Sequence, residues 1–137
     1  MGVYLKIQFP FPNMSKLNAH AKGNSHWGNS KATSAARSQA LYICVDLINR
    51  KQVHPIAGQV LISYAIFVPD DRPRDTCNIL QALKPTIDGI VDSGLVEGDS
   101  WQQMKLYNVT VEIDKKNPRV EITINSTRGM GDLLSKG

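Results

Sequence analysis

The sequence predicts an α+β fold in a single domain: a two-layer sandwich with a mixed β-sheet and two main helices. Three observations carry that prediction. The chain of 137 residues suits one core and leaves little room for a second. Segments that alternate with period two lie near both ends and in the middle, separated by two segments with helical spacing. Hydrophobic residues at 42% and charged residues at 20% match an ordinary globular protein, which sets disorder and fibrous repeats aside.

Val3 to Phe9 alternates apolar and polar residues and then meets Pro10 and Pro12, so it reads as a strand ended by proline. Residues 13–30 are rich in Asn, Ser and Gly and read as a loop. Asn29 or Ser30 can cap a helix running to about Arg50, because Ala36, Ala40, Cys44, Leu47 and Ile48 recur at helical spacing. Gly58 to Val68 is rich in β-branched and aromatic residues and stops at Pro69, which makes it a second strand. From Asn78 to Ser93, the stripe Leu80, Leu83, Ile87, Ile90 and Val91 predicts a helix that Gly94 ends. Pro85 either kinks this helix or marks the first turn of one that begins later. Tyr107 to Ile113 and Val120 to Ile124 alternate on either side of the turn at Asp114 to Pro118, a hairpin pattern. Residues 1–126 thus form one domain, and 127–137, with three glycines, a mobile tail.

Charge is unevenly placed. Residues 1–69 hold seven basic side chains against one acid, Asp46, whereas residues 70–99 hold seven acids against three bases. A carboxylate focus in a basic surround suits a site that binds divalent cations while its surroundings bind phosphate, although a solvated helix face is the plainer account. Lys84, Asp88 and Asp92 fall at i, i+4 and i+8, one face of the second helix, and Asp75 and Asp99 flank that helix in loops. Such carboxylates with a lysine can fix Mg²⁺ for phosphodiester hydrolysis. A Lys84–Asp88 ion pair is the structural alternative.

Other chemistries lack their residues. Cys44 and Cys77 have no C-x-x-C partner, and with His20, His26 and His54 they make neither a zinc site nor a disulfide framework. Cys77 has no activating base nearby and reads as a buried or half-buried thiol. Neither G-x-G-x-x-G nor a P-loop occurs, so no nucleotide cofactor is expected. No apolar run approaches a membrane span, and Met1 to Pro12 does not read as a signal peptide, so a cytoplasmic protein is expected. Asn18, His20, Lys22, Asn24, His26, Trp27 and Lys31 supply amide, imidazole, indole and ammonium groups suited to phosphate and sugar contacts. Trp27 equally suits a core plug.

RDTCNILQALKPTIDGIVDSGLVEGD, residues 74–99, resembles the signature of the RusA family of Holliday junction resolvases, found largely in phages and prophages. Members show an Asp-x-Asp-Asn start, a Lys-x-x-x-Asp on the next helix and aspartates after a Gly-containing turn; here these are Asp75, Asn78, Lys84, Asp88 and Asp99. The FPFP ending of the first strand, Leu17-Asn18, His26-Trp27 and Arg37 are similar to the phage-type branch. Two positions depart: Cys77 stands where many members have a second aspartate, and Gly98 replaces the first of a common Asp-Asp pair.

The resemblance implies a RusA-like fold and a homodimeric endonuclease, dependent on Mg²⁺ with Mn²⁺ able to substitute, that cuts four-way DNA junctions symmetrically in recombination and repair. It implies Asp75, Asp88 and Asp99 as metal ligands with Asp92 in reserve, and Lys84 as the group that stabilises phosphate charge or orients water. Lys22, His26, Lys31, Arg37, Arg72, Arg74 and Asn78 are the expected DNA contacts. A non-catalytic binder of branched DNA is the competing expectation. A hydrolase of small phosphate esters is a third, which leaves the basic first half unexplained.

Overall fold

The structure, a computed structural model, describes residues 4–17 and 26–127, with the backbone alone at Lys16 and residues 26–29. The expectations for Lys22, for residues 18–25 of the loop and for residues 128–137 of the tail lie outside the described residues, as does the His26 side chain. The architecture is the expected α+β sandwich. Strands β1 (Tyr4–Pro10), β2 (Val60–Val68), β3 (Met104–Ile113) and β4 (Arg119–Ser126) form one mixed sheet. Helices α2 (His26–Asn49), α3 (Thr76–Ala82) and α4 (Lys84–Asp92) cover one face, joined by the short α1 (Met14–Leu17).

The core forms where the helix stripes meet the inward positions of the strands. Ala40 and Cys44 of α2, Ile79 of α3, and Leu83, Ile87 and Ile90 pack on Leu5, Ile7, Phe9, Ile62, Ile66, Val120, Ile122 and Ile124. Burying each large aliphatic side chain contributes roughly 1.5–3 kcal/mol.

The strand order is β1-β4-β2-β3, with β4 antiparallel to both neighbours and β2 parallel to β3. The expected β3–β4 hairpin therefore does not form, because β4 crosses over β2 and inserts between β1 and β2. Burial explains the choice. Val120, Ile122 and Ile124 are fully buried and need a neighbour on each side, whereas most of β3 is exposed and suits an edge. Parallel pairing of β2 with β3 requires a crossover, which α3 and α4 provide.

The single helix expected over 78–93 is two helices. Leu83 both ends α3 and opens α4, and Pro85 sits in the first turn of α4, where its missing N–H is harmless. Gly94 ends α4 with φ of 81°, a left-handed position that glycine takes without a Cβ clash. The expected loop 13–30 contains α1, and α2 starts earlier than Asn29. Thr127, assigned to the tail, is tied to the start of β2 by hydrogen bonds to the Gln59 carbonyl.

Candidate functional site

Asp75 is the N-cap of α3. Its extended backbone (φ −77°, ψ 119°) lets the carboxylate accept from the Asn78 N–H at 3.2 Å, and a negative charge at this end suits the helix. Asp75 and Asn78 line a recess of about 360 Å³ with Met14, Arg72, Pro73 and Arg74. The two arginines face Asp70: Arg72 Nε donates at 3.1 Å and Arg74 at 2.7 Å, and Arg74 also holds the Asp70 and Arg72 carbonyls. Arg72 first, then Arg74, hold the Asp70 carboxyl down to about 2.

One turn of α4 separates Lys84 from Asp88, and the expected pair forms at 2.7 Å. Asp99 joins from the loop after α4 and accepts from the same ammonium. That loop is fixed by buried Leu95 and Val96, by the bridge of Ile56 to Val96, and by Ser100 donating to Gln103 at 2.9 Å. Gly98 belongs to this clasp. A Cβ there would meet the end of the flexible Gln103 side chain, which would have to swing away from Ser100.

Lys84 thus lies between two carboxylates on an exposed surface. Asp88, then Asp99, raise its pKa, and Lys84 in turn lowers that of Asp99. What the lowered Asp99 contributes is therefore present above the ordinary 3.8 and lost only as pH falls through its depressed value. Lys84's contribution is present below 10.5 and lost only as pH rises past its raised value, so the Lys84–Asp99 pair stays charged through neutrality.

Asp92, the reserve ligand, goes elsewhere: Arg37 of α2 spans it with bonds of 2.6 and 2.9 Å. The pairing raises the Arg37 pKa and lowers that of Asp92, and Asp88 and Asp99 act on Arg37 through space. Arg37, expected on DNA, is thus part of the acidic face. Burial pushes the hydroxyl of Tyr64 on β2 up to about 12, against the smaller opposing effect of the Lys84 charge. The only signal of Tyr64 in sequence was an inward place in a strand. Lys31 is exposed on α2. Cys77 is exposed, not buried, because it occupies the first turn of α3 on the solvent side; the buried thiol is Cys44, which burial raises to about 11.

The geometry therefore brings Lys84, Asp88 and Asp99 together, adds Arg37–Asp92 beside them, and sets Asp75 with Asn78, Arg72 and Arg74 in a recess that Asp88 and Asp99 do not line. Among the described residues, no three His, Cys, Asp or Glu side chains form a metal-holding group. Mg²⁺ commonly uses only one or two protein carboxylates, completing its shell with water and substrate phosphate, so Asp88 and Asp99, which now share the Lys84 ammonium, are the side chains that would hold such an ion. No helix among the described residues is long and apolar enough to cross a membrane. Fold and site define a small α+β protein with a lysine-bridged pair of surface carboxylates. No family model matches the chain, and no curated protein matches it significantly.

Proposed function

We propose that this protein is a Mg²⁺-dependent endonuclease, active also with Mn²⁺, that resolves four-way DNA junctions by symmetric phosphodiester hydrolysis as a homodimer. The observation that supports it is the Lys84 ammonium between Asp88 and Asp99 on an exposed face. Asp88 and Asp99 would hold the ion, while Asp75, the third carboxylate of the RusA pattern, stands apart from them in the Arg72–Arg74 recess at the α3 cap. Bound Mg²⁺ supplies phosphate neutralisation, activation of water and stabilisation of the leaving oxygen. Lys84 steadies phosphate charge beside the same carboxylates. Lys31 and the Arg72–Arg74 recess contact the DNA backbone, and a two-fold dimer presents two equivalent sites to two equivalent strands. The setting is the bacterial cytoplasm, in recombination and repair of host, phage or prophage DNA.

A second reading, a catalytically weakened binder of branched DNA, is favoured by one observation: Asp75 shares its recess with arginines and not with the carboxylate pair. A synthetic four-way junction, incubated with and without Mg²⁺ while binding is followed in parallel, separates the two. Paired symmetric nicks that require Mg²⁺ support the nuclease. Tight binding without nicks in Mg²⁺ or Mn²⁺ supports the binder, and neither binding nor cutting removes both.

A further inference from the structure

Among the described residues no strand pairs with the outer side of β3, a sheet edge ten residues long and free of proline, whereas the opposite edge, β1, has seven residues and ends in Pro10. Open edges invite pairing unless brevity, proline or charge shields them. Pairing with β2 sets Met104, Leu106, Val109, Val111 and Ile113 beside Val60, Ile62, Tyr64, Ile66 and Val68, which places them on the helix-bearing face. Yet Leu106 is 60%, Val111 46% and Ile113 53% exposed. The register shifts between Ile62 and Ser63, leaving Tyr107 as the extra residue, so Lys105, Asn108, Thr110 and Glu112 share the other face.

We propose that β3 pairs antiparallel with β3 of a second copy about a two-fold axis at Val109, joining two four-stranded sheets into one. Tyr107 stays outside the new pairing, as it does on the β2 side. Asn108 then meets the partner's Thr110, Leu106 the partner's Val111, Lys105 the partner's Glu112 and Met104 the partner's Ile113. Every pair shares a face, apolar residues meet apolar ones, and lysine meets glutamate. Each contact occurs twice, as an isologous interface requires. Cross-strand pairs of this kind are the stabilising units of a sheet. The competing arrangement, β3 on β1 of the next copy, gives open chains, and β1 is the shielded edge.

This names the surface of the dimer that the nuclease reading calls for, and it rests on that reading only for its purpose, since association is read without DNA. The test is sedimentation of the full chain over a concentration series, for the wild type, Lys105→Glu, Glu112→Lys and the double reversal. A monomer–dimer equilibrium is expected in the wild type. Each single reversal sets like charges opposite each other twice and should raise the dimer Kd about tenfold. The double reversal should restore it to within about threefold. Both positions are exposed, and matching melting curves confirm that the variants fold. A wild type that stays monomeric, growth into open chains, or single reversals that the double does not rescue would each overturn the proposal. A dimer that passes this test but never cuts junctions overturns the nuclease reading alone.

Discussion

Asp75 has two roles that different substitutions separate. Asparagine caps a helix about as well as aspartate, so Asp75→Asn should keep the melting temperature, whereas Asp75→Ala removes the cap and costs about 1 kcal/mol. If the proposed nuclease is right, Asp75→Asn and Asp99→Asn each abolish junction cutting and leave binding unchanged or tighter, because each removes a ligand and a charge that repels phosphate. Wild-type cutting by either variant would take that residue out of the metal set. Cys77 allows the converse experiment. Since it is exposed at the positive end of α3, Cys77→Asp buries no charge, and its effect on stability should be neutral or favourable by about 0.3–1 kcal/mol. The added oxygen should raise activity at limiting Mg²⁺, because that ion prefers hard ligands to a thiol. An unchanged Mg²⁺ dependence would place Cys77 off the site.

At the scale of elements, the acidic face depends on how closely α4 approaches α2. A Cβ on Gly89 would lie 2.7 Å from the Ala40 Cβ and 2.9 Å from the Leu41 nitrogen, so Gly89→Ala must push the helices apart. We expect a loss of about 1–3 kcal/mol in urea unfolding, together with weaker site function, since Asp88 precedes Gly89 and the Arg37–Asp92 pair bridges the same two helices. An unaltered midpoint would mean that the helices separate freely. The helical spacing of Ala36, Ala40 and Cys44, the alternation of β1 and β4, and the Gly94 stop were legible because local periodicity reports which face is buried. So was the Lys84–Asp88 pair, a matter of one helical turn. The place of β4 was not, because sequence neighbours in an alternating pattern look like a hairpin whether or not a third strand lies between them. Nor was the Arg37–Asp92 pair, which joins residues 55 positions apart through a tertiary contact that no local pattern encodes.

Over the whole molecule, the basic half and the acidic segment are less separate than the sequence implies, because several cations are already answered by protein carboxylates. Arg37 holds Asp92, Arg72 and Arg74 hold Asp70, and Arg50 holds Asp46. A cation that leaves a carboxylate for a phosphate exchanges one partner for another, so it adds less to counterion release than a solvated lysine does. Lys31, exposed on α2, should therefore behave unlike Arg37. Lys31→Ala should weaken junction binding and reduce the slope of log K against log salt by about one. Arg37→Ala should also weaken binding, but through the uncovered charge of Asp92, with a slope change well under one and a greater loss at low salt, where repulsion is least screened. Titrations of both variants across a salt series distinguish the two behaviours. Equal slope changes would show that Arg37 releases Asp92 to take a phosphate, and an unchanged slope for Lys31→Ala would move the DNA surface away from this end of α2.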